Sequence, residues 1–250
     1  MSEFIAEFIG TMILLLLGNG VVANVLLKDT AGNDSGWIVI TAGWGMAVFV
    51  GVFITMDISG AHLNPAVTLG LAAAGKFAWA KAPSYILAQC LGAATGTTLA
   101  WLTYRKHYAI TEDQGAKLGT FATAPAIPST IDNFIAEMVG TFVLVFAVLF
   151  ATSPELSIGA IDGVAVEGSK IGLGAIGALP VGLLVFAIGL SLGGPTGYAI
   201  NPARDLMPRI MHTLLPIPGK GSSDWGYSWI PVAGPIAGGL VAAGLFMAIQ

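Results

Sequence analysis

The chain has 250 residues, 55% hydrophobic and 10% charged, with 34 glycines and a mean hydropathy of +0.82. Soluble domains carry roughly 25% charged residues, so this composition excludes a soluble fold and specifies an all-α, polytopic membrane protein whose small residues let helices approach closely. A net charge of −4, small and scattered, gives no footing for a nucleic-acid partner, and the single Cys90 excludes an intrachain disulfide and argues against a metal site.

Six runs are long enough to cross a hydrocarbon core of ~30 Å, which takes about 20 apolar residues. They lie near 4–27, 37–56, 84–105, 132–152, 173–192 and 229–249. The first has acidic Glu3 and Glu7 and no basic segment before it, so it reads as a spanning helix and not as a cleavable signal peptide. Between the second and third spans lies Ser59-Gly60-Ala61-His62-Leu63-Asn64-Pro65-Ala66-Val67-Thr68, and between the fifth and sixth lies Gly193-Gly194-Pro195-Thr196-Gly197-Tyr198-Ala199-Ile200-Asn201-Pro202-Ala203-Arg204-Asp205. Each carries the same start signal, an Asn suited to the N-cap followed by a Pro suited to the first helical position. The short helices, Asn64 to Ala74 and Asn201 to Met211, are ~16 Å long at 1.5 Å per residue, half a membrane. Irregular backbone leading into such a helix is tolerated at that depth only when buried in protein or lining a watery cavity.

The two halves repeat. Phe4-Ile5-Ala6-Glu7-Phe8-Ile9-Gly10-Thr11 is echoed by Phe134-Ile135-Ala136-Glu137-Met138-Val139-Gly140-Thr141. Repeat 1 covers about 1–105 and repeat 2 about 132–250, joined by a linker at about 106–131, all within one domain, 1–250. Three spans per repeat, an odd number, place the second copy upside down relative to the first. The half-helices then enter from opposite faces and converge with their positive N-terminal ends near the midplane. The symmetric placement of Glu7 and Glu137 assigns each to accept hydrogen bonds from a re-entrant loop, in preference to a proton relay. Arg204 faces the pore, because residues adjacent on a helix do not face each other and Asp205 is therefore not its partner. Asp205 is read as a structural carboxylate favoured by the positive helix end.

The remaining features have plainer readings. The connections at 106–131 and at 153–172, the latter with Glu155, Asp162, Glu167 and Lys170, are read as solvated loops in preference to ordered lids. Trp79, Trp101, Trp225 and Trp229 are read as interfacial anchors. Gly92-x-x-x-Gly96 and Gly234-x-x-x-Gly238 are helix-packing faces. His62 is a hydrogen-bonded loop histidine, while His107 and His212 have no partner that the sequence names. No catalytic constellation, phosphate loop or metal-ligand spacing is present, and no cofactor is expected.

The doubled Asn-Pro-Ala, the inverted repeat and the repeated Ala-Glu-x-x-Gly-Thr resemble the aquaporin family of membrane channels (major intrinsic proteins) over essentially the whole chain. Asn-Pro-Ala-Arg-Asp at 201–205 is similar to the glycerol-facilitator branch, with Asp205 as the branch marker. The resemblance implies a right-handed bundle of six tilted helices plus two half-helices, in a homotetramer with one pore per subunit in the lipid bilayer. The pore motifs are then Asn64, Pro65, Ala66 and Asn201, Pro202, Ala203, and the selectivity filter is Trp44, Gly189, Tyr198 and Arg204. Trp44 and Tyr198 would make an aromatic corner, Gly189 would leave space where water-selective relatives carry His, and the Tyr198 hydroxyl would narrow and polarise the site. Carbonyls of Gly60, Ala61, His62, Gly197, Tyr198 and Ala199 would form a ladder of acceptors, with the Asn64 and Asn201 amides as central donors.

The expected function is passive permeation of glycerol and other small neutral solutes, with water as co-permeant. Alternatives are a water, urea or lactic acid channel of the same family, a proton-coupled secondary transporter, and a structural junction protein. The expected location is the plasma membrane of a bacterium with both termini cytoplasmic. That orientation puts Lys76, Lys81 and Lys170 inside and Lys28, Arg105, Lys106, Lys117 and Lys220 outside, against the positive-inside rule.

Overall fold

Helix boundaries follow capping chemistry. The computed structural model describes residues 1–151 and 174–250 and, between them, only the backbone of four short strands. α1 (Glu3–Leu26) opens on Ser2, whose hydroxyl accepts from the Ile5 N–H at 3.3 Å. α2 (Trp37–Ser59) ends on Gly60 in the left-handed region. The half-helix α3 (Pro65–Ala73) and its counterpart α8 (Pro202–Leu214) each start on an Asn cap with Pro at the first position. The other helices are α4 (Ala82–Ile110), α5 (Gln114–Gly119), α6 (Thr130–Leu149), α7 (Leu179–Leu192) and α9 (Ile230–Ile249).

Among the described residues, α1, α2, α6, α9 and the segment Gly174–Leu192 are long and apolar enough to cross a membrane. α4 is the sixth long helix: its 29 residues extend past the expected 84–105 at both ends, a length of ~43 Å. It buries Gln89 and Thr97 and ends in Arg105, Lys106 and His107, which makes it less apolar than the rest.

The packing is a two-fold exchange. α1 lies along α4 and α6 along α9, while α2 and α7 cross at the centre. Each half-helix leans on the last helix of the other repeat, α3 on α9 and α8 on α4. The small-residue faces are where α1 meets α4 and α6 meets α9 within each repeat. A Cβ at Gly92 would sit 2.3 Å from the Phe8 carbonyl oxygen, and one at Gly238 would sit 2.2 Å from that of Met138, the equivalent residue of the second repeat. Helix backbones in contact at such range gain dispersion and leave no space for lipid.

Three expectations change. The 106–131 connection is only partly a solvated loop: Leu118 of α5 and Phe121 and Ala122 after it are buried in a cluster with Ala23, Leu27, Tyr108 and Ile217, with Lys117 and Thr123 buried as well, while 112–115 and 126–128 are exposed. Trp101 belongs to the same cluster at 8% exposure, so it is a core residue and not an interfacial anchor; Trp79, Trp225 and Trp229 are exposed. The 153–172 connection contains two antiparallel ladders, β1 (Glu155–Ser157) with β4 (Lys170–Gly172) and β2 (Ala160–Ile161) with β3 (Val164–Ala165). Asp162 and Glu167 lie outside the described residues. These ladders are confined to the connection, and the fold is a helical bundle.

Candidate permeation site

The site is built on two loops held in costly conformations. In the first, Gly60, Ala61 and Leu63 have φ of +78°, +51° and +50°; in the second, Gly197, Tyr198 and Ile200 have +78°, +40° and +44°. A left-handed conformation costs a non-glycine residue about 1–2 kcal/mol, so four such residues need external support. Two fully buried carboxylates supply it. Glu7 accepts from the backbone N–H groups of His62 (2.9 Å) and Leu63 (2.8 Å), from the Ser59 hydroxyl (2.6 Å) and from the Gln89 amide (2.8 Å). Glu137 accepts from Ala199 N–H (2.9 Å), Ile200 N–H (2.8 Å) and the Thr196 hydroxyl (2.7 Å). Local strain of this kind persists only where surrounding structure over-determines it, and it clusters at functional sites.

The two loops also hold each other. Asn64 Oδ1 caps its own helix by accepting from Ala66 N–H at 2.8 Å, and its Nδ2 donates to the Ile200 carbonyl at 2.8 Å. Asn201 Oδ1 accepts from Ala203 (3.0 Å) and Arg204 (3.2 Å), and its Nδ2 donates to the Leu63 carbonyl at 2.9 Å. One N–H of each amide is therefore spent across the two-fold, leaving the other for a ligand. With N–H groups turned towards the glutamates, the carbonyls of Gly60, Ala61, His62, Gly197, Tyr198 and Ala199 take no hydrogen bond among the described residues.

These groups border a cavity of ≈ 130 Å³ whose polar lining is the loop residues Gly60 to Asn64 and Tyr198 to Asn201 together with Arg204. The rest of its lining is apolar, Trp44 and aliphatic residues such as Val52, Val67 and Val185. The lumen is amphipathic along its length. His62 borders it, with Nδ1 3.1 Å from the Thr68 hydroxyl and its ring packed edge-on against Phe77.

In the lining of the cavity, the Arg204 guanidinium carbon stands 4.2 Å from the centroid of the Trp44 ring. That contact is a cation–π pair, favourable by about 0.5–2 kcal/mol. Of the five guanidinium N–H donors, only one finds a partner among the described residues, the Phe121 carbonyl at a long 3.5 Å. The remaining donors open on the lumen. Trp44 lies against the α1 backbone: a Cβ at Gly18 would sit 2.2 Å from its ring, so Gly18 makes room for the indole.

Gly189 plays a different part from the one expected. A Cβ there would sit 2.7 Å from Tyr198 Cζ, 2.8 Å from its hydroxyl oxygen and 2.9 Å from Thr41 Cγ2. The space beside Gly189 is filled by the Tyr198 ring. Its hydroxyl is buried without a partner in the wall, so it does not polarise the lumen; the ring alone forms the corner.

Asp205 accepts from Thr123 through both N–H (2.7 Å) and hydroxyl (2.6 Å), and from Arg209 Nε (2.9 Å) and Nη2 (2.8 Å). Arg209, fully buried, also donates to the carbonyls of Ser223 (2.7 Å), Asp224 (3.1 Å) and Thr123 (2.7 Å). This cluster ties α8 to the 120–123 segment that faces Arg204. Arg209 and Gly18 escape sequence reasoning; the i, i+4 spacing of Asp205 and Arg209 on one helix was the available signal. Tyr227 stands 5.8 Å from the same guanidinium, and burial pushes its phenol well above the usual range. His212 and His107 do have partners, the Ser223 hydroxyl at 2.8 Å and the Lys28 carbonyl at 3.0 Å. Lys220 caps α8 by donating to the carbonyls of His212, Thr213 and Leu215 at 2.6–2.8 Å.

Replacing Arg204 separates charge from aperture. Arg204→Val removes a cation and its donors without filling the lumen, so glycerol and water flux are expected to persist while a proton or cation leak appears. A pH-sensitive dye in the same vesicles measures the leak; a variant as proton-tight as wild type removes the electrostatic role.

A helical bundle with two half-helices meeting end to end beside an amphipathic lumen defines a membrane channel. The chain belongs to the major intrinsic protein family, which matches residues 1–246. It is 53% identical over 246 residues to the probable glycerol uptake facilitator protein of Thermotoga maritima and 52% identical over 246 residues to the glycerol uptake facilitator protein of Streptococcus pneumoniae, each match covering 98% of both chains. Among solved structures it is similar to the aquaglyceroporin from Plasmodium falciparum, with a TM-score of 0.78, 31% identity, and coverage of 98% of this chain and 94% of that one.

Proposed function

We propose that this protein is a passive channel for glycerol and similar small neutral solutes, with water as co-permeant. The observation that carries the reading is the mixed polar and apolar lining of the lumen. Its polar lining is the Arg204 donors and loop carbonyls that take no hydrogen bond among the described residues; its apolar lining is Trp44 and valines. A linear polyol has one hydroxyl edge and one carbon edge, and it exchanges hydration for matched hydrogen bonds along such a wall. An ion loses hydration without equal replacement and meets Arg204 and two positive helix ends. The glycerol facilitator names of the bacterial relatives support the same solute.

In this reading Asn64 and Asn201 are the central donors, Trp44, Tyr198 and Arg204 the filter, Gly189 the seat of Tyr198, and Glu7 and Glu137 the supports of the loops. The channel works as a homotetramer with one lumen per chain and with both termini cytoplasmic. The basic residues that oppose this orientation are partly structural. Lys220 caps α8, and Lys117 is buried with its ammonium on the Pro218 carbonyl.

The deciding experiment uses proteoliposomes and stopped-flow light scattering. Glycerol is expected to equilibrate faster than in empty vesicles and never to accumulate. Accumulation driven by an imposed proton gradient would replace the channel by a coupled transporter.

A further inference from the structure

Tyr198 forms one corner of the filter, yet nothing polar holds it there: its hydroxyl has no hydrogen-bond partner. The ring is positioned by packing alone. On one side lies the Gly189 backbone of α7. On another stands Trp37, the first residue of α2, whose ring meets Tyr198 edge-on at a centroid distance of 5.8 Å and an interplanar angle of 76°. A Cβ at Gly193 would sit 2.6 Å from Tyr198 Cδ1 and 2.7 Å from Trp37 Cζ2, so the two rings close over the chain where α7 gives way to the second loop.

The indole is itself fixed. The last four carbonyls of a helix lack intrahelical partners, and Trp37 Nε1 donates to one of them, that of Gly189, at 3.1 Å across 152 residues. Trp37 thus orients itself on the backbone of the residue that seats Tyr198. It is not among the residues lining the cavity, and it is 40% exposed. Without the indole, the Tyr198 ring gains room in the direction away from the lumen.

We propose that Trp37 is a positioning residue that sets the upper solute size of the filter by pressing Tyr198 into its seat. This rests on the glycerol-channel reading above. The bland alternative is an anchor at the membrane–water interface, which would alter insertion and protein amount but not selectivity between solutes.

The test compares wild type, Trp37→Ala, Trp37→Phe, Tyr198→Ala and the double variant in proteoliposomes, normalised to folded protein. Permeability is read for water, glycerol and the four-carbon polyol erythritol. Wild-type glycerol flux no faster than in empty vesicles would end the channel reading itself, independently of Trp37. Given that flux, Trp37→Ala is expected to raise the erythritol-to-glycerol ratio about fivefold. Trp37→Phe keeps a ring against Tyr198 and should change the ratio less than about twofold. On a Tyr198→Ala background, Trp37→Ala should add nothing, because the ring it positions is gone. Trp37→Leu, which lacks the flat face, replaces Trp37→Ala if that variant folds poorly, with the same expectation. A proportional fall in all three permeabilities, a Phe variant as relaxed as Ala, or a ratio shift that survives on the Tyr198→Ala background would each overturn the proposal.

Discussion

Gly189→His is expected to reduce glycerol permeability per folded channel at least about tenfold, the scale on which a crowded pocket discriminates, while water permeability falls far less. The cause is displacement as much as plugging. The new Cβ would overlap a rigid phenol ring at 2.7 Å and the Thr41 methyl at 2.9 Å. Overpacking of this kind forces side chains off their rotamers. Trp37 and the Gly193 backbone hem the ring on its other sides, so the ring or the imidazole must enter the lumen. Gly189→Ala separates the two effects, since it displaces Tyr198 without adding a second ring, and its glycerol flux should fall between wild type and His. Stopped-flow measurement with both solutes is sufficient. Glycerol flux unchanged in the His variant would mean that neither group stands at the narrowest point.

The second large effect concerns stability. Glu137→Ala leaves the Thr196 hydroxyl and the Ala199 and Ile200 N–H groups without an acceptor inside the protein. Each unpaired buried donor costs about 1–3 kcal/mol, so the sum is ~3–9 kcal/mol. The left-handed conformations of Tyr198 and Ile200 lose their support at the same time. Glu137→Gln should fare better but not well: its amide oxygen can serve Thr196 and Ala199, while its NH2 then opposes the Ile200 N–H, one donor against another. The expected order of detergent-solubilised yield and of thermal midpoint is wild type, then Gln, then Ala. Equal midpoints for Gln and Ala would show that the carboxylate does not hold the loop.

How much of this was legible in the sequence depends on the range of each contact. The spans, the two half-helices and the inverted repeat are written in local pattern: hydrophobic run length, Asn-Pro starts, and a motif repeated 130 residues on. Glu7 and Glu137 stand out because symmetry marks them. Gly18 beneath Trp44 carries no such mark, being one glycine among 34, and its meaning appears only when α1 meets α2. The misreading of Gly189 has the same origin: an absent side chain reads as space, but whether space stays empty is decided by a residue elsewhere in the chain. Trp101 and part of the 106–131 connection are misplaced because a tryptophan near a helix end and a Pro- and Thr-containing linker look alike whether they face solvent or join a buried cluster. Arg209 shows the converse, a charge whose i, i+4 partner was visible and went unweighed.

The reciprocal bonds between the loops bear on how the chain is completed. Asn64 reaches an acceptor 136 residues later, and the Leu63 carbonyl waits for a donor 138 residues later. During synthesis the first re-entrant segment is therefore finished before its counterpart has been made. Until then its amide and carbonyl must be satisfied by water, because hydrocarbon offers them nothing. Both bonds between the loops form only once the second Asn has been made and docks. A chain interrupted after α6 would leave the Asn64 amide and the Leu63 carbonyl without the partners that the second loop supplies.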